Sequence, residues 1–310
     1  NRVLTNDALW DKIADDFQAA VNSVPAAQPE VGRANQLAAK AYLAKTRLYQ
    51  AYEQDDNHQV ININQSRLNE AVTLLGDVIA SGQYSLNDDF AKNFLFGFDN
   101  GPESLFSVQY SINDGTPFGR LQMGTSLNYS GAPQYGCCWF HIPSGNMVNA
   151  FRTDANGLPM FDTFNDRFLT DDDLTPGGVT VDPRIDHTIG IQGHPFKYQP
   201  DILYDHSWEF GNVLYGGYGN MKEQQAADCS CYLNRWGAFP GTSVDLRVIR
   251  YADVLLMQAE ALIELGRHAE ARPLINQIRE RAANSTGRTK HADGSDPSNY
   301  LIGQYDGSNW

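Results

Sequence analysis

No apolar run in this chain approaches the roughly 20 residues that a helix needs to cross a bilayer. Its start, Asn1-Arg2-Val3-Leu4, has none of the basic-then-apolar build of a secretory leader and reads as an excised start. Positive charge is also in short supply. The 310 residues carry 23 Lys and Arg against 37 Asp and Glu, a net of −14, which argues against a nucleic-acid partner. Cysteine is limited to Cys137, Cys138, Cys229 and Cys231, and the C-x2-C spacing of common zinc sites is missing. There is no H-E-x-x-H, no G-x-S-x-G, no P-loop and no G-x-G-x-x-G after a strand, so the usual signatures of metalloproteases, serine hydrolases and nucleotide enzymes are absent. Asp and Glu are plentiful enough for a glycosidase pair, but the required separation of roughly 5 to 9.5 Å is a spatial property, and no pair stands out in sequence.

What is present in quantity is helix pattern at both ends. Residues 7–21 place Leu9, Trp10, Ile13, Phe17 and Val21 on one face, with Pro25 ending the helix. Ala34, Leu37, Ala38, Ala41, Leu43, Ala44 and Leu48 predict an alanine-rich helix that a neighbour can approach closely. Near the other end, Leu246, Ile249, Val254, Leu255, Leu256, Ala259, Leu262 and Ile263 recur at helical spacing, and Gly266 supplies the stop. A second run follows on Ala271, Leu274, Ile275, Ile278 and Ala282, with Pro273 in its first turn or two.

These ends are related. Arg67-x-x-Glu70-Ala71-x-x-Leu74-Leu75-x-x-Val78 matches Arg267-x-x-Glu270-Ala271-x-x-Leu274-Ile275-x-x-Ile278, and both follow a long amphipathic helix. Such self-similarity marks helix-hairpin repeats of the tetratricopeptide kind. The predicted fold is therefore mainly α, a helical-hairpin scaffold with a large irregular insertion carrying short strands. Its parts are 1–85 and 245–285 as scaffold, 86–244 as a loop-rich ligand-binding lobe, and 286–310 as a polar tail leading to a further segment. The middle is rich in Gly, Pro, Asn, Asp and aromatics, with turn dipeptides at Asn100-Gly101, Asp114-Gly115 and Asn156-Gly157, and Ser104–Tyr110 alternates like a strand. Loops of that extent on a rigid scaffold usually carry the function.

Five ordered segments carry a family resemblance. They are Gly32-Arg33-Ala34, Val78–Leu86, Pro143-Ser144-Gly145-Asn146-Met147-Val148-Asn149-Ala150-Phe151, Asp182–Gly190, and the hairpin opening Arg250-Tyr251-Ala252. Together they resemble the middle of SusD/RagB outer-membrane glycan-binding lipoproteins across essentially the whole chain. The resemblance implies a four-repeat helical scaffold, a lipid anchor to the outer membrane beyond this segment, surface exposure, and a position capping a SusC-like TonB-dependent transporter. Two positions depart from the pattern. Asp253 stands where glutamate is usual, and His187 where many members have an aromatic residue.

A glycan site needs flat apolar faces for sugar rings and directed donors and acceptors for hydroxyls. The segment Asn128–Phe140 concentrates both kinds, and a second aromatic cluster follows at residues 208–236. Tyr129, Tyr135, Trp208, Tyr215, Tyr218 and Trp236 are the candidate ligand-binding residues, while Trp139 and Phe140 are expected in the core. The cysteines allow disulfides within or across the two pairs, or buried thiols. His141, His187, His194 and His206 show no metal-ligand spacing. Asp171-Asp172-Asp173 with Asn165 and Asp166 could take calcium, though a solvated acidic turn is the ordinary reading. No cofactor is implied. The expected function is non-catalytic capture of an oligosaccharide or polysaccharide, with a peptide or protein interaction scaffold as the alternative and a glycoside hydrolase behind both.

Overall fold

The structure, a computed structural model, describes residues 4–117, 119–128, 140–209, 217–236 and 239–310, apart from the side chains of 127, 234–236 and 239. In chain order the helical part opens with α1 (Asn6–Ser23) and α2 (Gln36–Ala51), then a hairpin of β1 (Tyr52–Gln54) and β2 (Val60–Ile63), then α3 (Gln65–Ala80). The middle carries β3 (Ser104–Val108), the short α4 (Gly145–Asn149), β4 (Thr180–Val181), α5 (Ile185–Thr188), β5 (Ile189–Gly190), β6 (Pro195–Phe196), β7 (Gln199–Leu203), β8 (Gly219–Asn220), β9 (Tyr232–Trp236) and β10 (Phe239–Thr242). The chain then returns through β11 (Leu246–Arg250) to α6 (Tyr251–Glu264), α7 (His268–Ala283) and β12 (Asn299–Tyr300).

Caps explain where the helices begin. Thr5 Oγ1 accepts from the Ala8 amide at 3.2 Å, Asn35 Oδ1 from Ala38 at 2.9 Å, and Asn64 Oδ1 from Ser66 and Arg67, each satisfying amides that a first turn leaves open. Gly266 ends α6 at φ +74°. Its amide reaches Ile263 O and that of Arg267 reaches Leu262 O, both at 2.8 Å, the paired bonds of a Schellman stop.

The two ends of the chain form one body. Helix α1 packs on α2, α2 on α3, α3 on α6 and α6 on α7. Their shared core joins Ala41, Ala44, Leu48, Ala51, Leu68, Leu75 and Val78 to Ile249, Val254, Leu255 and Ile278, and the fully buried Ala41, Ala44 and Ala51 let α2 approach closely. The repeated Arg and Glu do not make equivalent pairs. Arg267 holds its own Glu270, whereas Arg67 reaches Asp7 on α1 and Glu70 meets Arg47 on α2.

One stretch expected to continue the helix is a strand. Leu246–Arg250 pairs antiparallel with Ser104–Val108, because Leu-Arg-Val-Ile-Arg alternates with β-branched residues while the Asp253 carboxylate, accepting from the Arg250 amide at 2.7 Å, fixes the helix start at Tyr251. The β1–β2 hairpin was likewise not legible as strand.

Between β3 and β11 the chain forms small two-stranded ladders over two local cores, one around Leu174, Ile185, Ile189 and Ile191, the other around Phe196, Tyr204 and Met221. The polar segment after α7 lies across this lobe, with β12 running parallel to β4. Asp186 anchors it, accepting from Ser298 Oγ at 2.7 Å and Tyr300 OH at 2.9 Å while holding His194 Nδ1 at 2.6 Å. Gly157 is required where the segment passes, since a Cβ there would stand 2.3 Å from the Gly303 amide nitrogen. His187 fills an aromatic-shaped place, edge-on to Phe90 and beside Tyr198.

Candidate functional site

Two segments on either side of residues 129–139 are tied together. Asn128 Oδ1 bonds His141 Nδ1, Asn128 Nδ2 donates to Glu223 Oε2 at 2.7 Å, and Gln224 Nε2 donates to the Asn128 carbonyl at 2.6 Å. The root of the aromatic-rich segment is thus clamped shut and pinned to the turn after β8. Beside the clamp opens a cleft of about 510 Å³, lined by Asn128, His141, Ile142, Pro143, Ser144, Met147, Thr188, Asn220, Lys222 and Glu223.

Local structure sets each wall. Ser144 caps α4, its hydroxyl accepting from the Met147 amide at 3.2 Å, so this short helix presents Met147 outward and buries Val148. The Met221 amide donates to Thr188 O at 3.1 Å, which joins the turn to α5. The Lys222 ammonium lies 4.5 Å from the centre of the Phe94 ring, and burial pushes its pKa below the ordinary lysine value. The cleft therefore combines carboxylate, ammonium, amide, imidazole and hydroxyl groups in one open depression, a set suited to hydroxyl recognition.

Apolar surface stands around it. Phe140, expected in the core, is 56 % exposed, because it leaves the clamp pointing outward next to His141. Phe168 is 74 % exposed and lies against the backbone of Gly145, where a Cβ would be 2.9 Å from its ring. Neither carried a signal in sequence, since an exposed Phe reads like any buried one.

The six expected ligand-binding residues fall differently. Tyr129, Tyr135 and Tyr215 lie outside the described residues, and Trp236 is in β9 with its side chain undescribed. Trp208 is half-buried, edge-on to Phe196 and Tyr204 at 5.5 and 5.3 Å between ring centres. Tyr218 is buried in the lobe core with its hydroxyl on Leu169 O at 3.1 Å, so it has no face to offer a sugar. Cys229 and Cys231 form a disulfide within their pair, and Cys137 and Cys138 lie outside the described residues.

Asp171, Asp173 and Asn165 of the acidic cluster are committed to protein partners. Asp173 takes both Arg167 nitrogens at 2.7 and 2.8 Å, which holds its carboxyl well below the usual range, and Asp171 meets His206 Nε2 at 2.8 Å. Asn165 Oδ1 accepts from Asn149. Among the described residues no three His, Cys, Asp or Glu side chains gather as a metal would need, and no helix is long and apolar enough to cross a membrane.

The model of the SusD family matches residues 102–302, which include the clamp, the cleft and both helices of the second hairpin. The chain belongs to the SusD family. Solved SusD-like structures share its fold. One from Bacteroides fragilis is 22 % identical over 90 % of this chain and 53 % of its own, with a TM-score of 0.63. A second from that organism, described as a SusD-like carbohydrate binding protein, is 20 % identical over 90 % and 51 %, also at 0.63. Another solved structure, determined with xylogluco-oligosaccharide, is 20 % identical over 88 % of this chain and 49 % of its own, at 0.61. The chain thus spans about half the length of these relatives. No curated protein sequence matches it.

Proposed function

We propose that this SusD-family chain captures an oligosaccharide at the cleft beside the Asn128–His141 clamp, without chemistry, as part of glycan uptake at the cell surface. One observation carries the reading: an open cleft, its wall mostly apolar but set with Glu223, Asn220 and His141, is built at the root of an aromatic-rich segment, with Phe140 exposed beside it. Glu223, Asn220 and His141 would meet hydroxyls, and ring faces would rest on Phe140, Phe168 and the aromatic residues of the two segments, with Tyr129, Tyr135, Trp208, Tyr215 and Trp236 as the remaining candidates. The relative holding a xylogluco-oligosaccharide supports a glycan as the ligand class. Each contact is modest, so affinity in the micromolar to millimolar range is expected, about 4 to 8 kcal/mol. Delivery to a SusC-like TonB-dependent transporter, attachment to the outer membrane through a lipid anchor, and the absence of catalysis complete the proposal on family grounds.

Retardation in gels containing xyloglucan, pullulan, pectic galactan, arabinoxylan or mucin glycans tests it. Slower migration in at least one, lost in Asn128→Ala, is the expected result. Migration unchanged in every gel would favour the second reading, a peptide-binding scaffold, for which the structure offers a groove of about 550 Å³ between α2 and α6 with Tyr49, Val60 and Leu256 on its walls.

A further inference from the structure

The two-residue turn between β6 and β7 is made by residues ill-suited to it. Phe196 pairs with Gln199, so Lys197 and Tyr198 alone connect β6 to β7, at φ +47° and +64°. Two successive left-handed residues define the hairpin turn that Asn-Gly ordinarily supplies, and a side chain at each position is strained. Strain of this kind persists where surrounding contacts over-determine it, and it concentrates at functional sites.

Those contacts are specific. Lys197 is 2 % exposed, and its ammonium donates to the carbonyls of Met221 and Lys222 at 3.1 and 3.0 Å, while its amide meets Met221 Sδ. Tyr198 OH, on the other turn residue, bonds His187 Nδ1 at 2.8 Å. The two carbonyls belong to the turn that presents Lys222 and Glu223 to the cleft and Gln224 to the Asn128 carbonyl. A buried ammonium without a hydrogen-bonded carboxylate is a poor device for stability alone. We propose that Lys197 is a positioning residue of the glycan cleft, its ammonium holding the 221–222 backbone so that Glu223 and Gln224 fix the Asn128 clamp. The inference rests on the cleft being the glycan site, but the positioning can be read without a glycan.

The titratable groups that face this ammonium are Glu223, which favours its protonated form, and the imidazole of His187, which burial holds toward its neutral form, with Lys222 adjacent and the Tyr198 ring 5.2 Å away. Burial dominates and brings the lysine pKa down to about 7. Protonated, the group grips both carbonyls strongly; above neutrality that grip weakens.

Lys197→Met keeps the volume and removes the donor. Amide hydrogen exchange over 219–225 should quicken, the melting temperature should hold or rise, and affinity for whichever polysaccharide of the panel retards the wild type should fall about tenfold. The wild type should also bind more weakly at pH 8.5 than at pH 6, with that difference absent in the variant. Unchanged exchange overturns the positioning role, as does unchanged affinity, or a melting temperature and affinity that fall together. If the wild type binds no glycan, the glycan reading fails and exchange alone decides Lys197. Should K197M not fold, a flat wild-type affinity between pH 6 and 8.5 refutes the inference.

Discussion

At the level of single residues the lobe shows how an irregular region becomes rigid without long strands. The Tyr204 ring lies across the paired Gly190 and Gly219 of β5 and β8, where a Cβ on either would sit 2.7 or 2.6 Å from it, and its hydroxyl ties Gly217 O at 2.7 Å. Gly219→Ala should therefore force the ring out and cost about 2 kcal/mol in urea unfolding, against a few tenths for alanine at exposed Gly177. Beside it, Glu209 is only 5 % exposed, and burial pushes its carboxyl up from 4.5 to about 7, with Tyr204 acting in the opposite sense. Folding then takes up a proton at Glu209, so its contribution is complete below pH 4.5 and lost as pH rises through about 7. Lys197, with its lowered pKa, works the other way above neutrality. The difference between wild type and Glu209→Gln isolates the carboxyl: the variant should gain on the wild type between pH 5 and 8.5 by on the order of 2 kcal/mol. Parallel stability curves for the two proteins would mean that Glu209 titrates normally.

The helices were legible because each announces itself twice, by an apolar stripe and by a cap. Thr5, Asn35, Asn64 and Gly266 punctuate runs whose buried faces follow the spacing in the main, although Leu9 of α1 and Leu256 of α6, both expected inward, stand exposed. Strand β11 was not, since Leu246 and Ile249 also fit a helical stripe and only the distant partner Ser104–Val108 settles the matter. The β1–β2 hairpin pairs Tyr52 with Ile63 around a loop whose turn, with His58 at φ +61°, lacks a glycine signal. The boundary at Arg250 depends on the Asp253 carboxylate, which does the work expected of the glutamate usual there. Asp253→Ala should cost about 1 kcal/mol, and Asp253→Glu should restore most of it, as judged by thermal melting. Equal melting of the alanine variant and the wild type would show that the β3–β11 pairing alone sets the helix start.

Across the whole molecule, the cleft draws on residues from Asn128 to Glu223, and nothing periodic links them. Sequence composition singled out the segment Asn128–Phe140, but the partners that clamp its ends, Glu223 and Gln224, come together only through the folded lobe. Tyr218 shows the converse, an aromatic in a glycine-rich stretch that the fold consumes as core. Beside Arg279 of α7, which donates to Gly157 O at 2.6 Å, a second tie between this lobe and the helices is Glu103. Wholly buried, it accepts from Arg281 Nη1 of α7 at 2.7 Å, Arg250 Nη1 at 3.4 Å, the Asn87 amide at 2.9 Å and Asn93 Nδ2 at 3.0 Å. Removing that carboxylate leaves the deeply buried Arg281 guanidinium without its ion-pair partner and the Asn87 amide with no other acceptor among these contacts, while Arg250 keeps Asp253 at 3.7 Å. Glu103→Ala should therefore lose about 3 to 5 kcal/mol in urea unfolding. Glu103→Gln keeps the acceptor oxygen but not the charge, and should lose less. If the lobe and the helices share stability through this junction, the alanine variant should also show two unfolding transitions, by tryptophan fluorescence and by far-ultraviolet circular dichroism, where the wild type shows one. A loss below about 1 kcal/mol with coincident transitions would mean that the shared apolar packing of Leu105 and Ile249 against α2 and α3, not the ion cluster, couples the two halves.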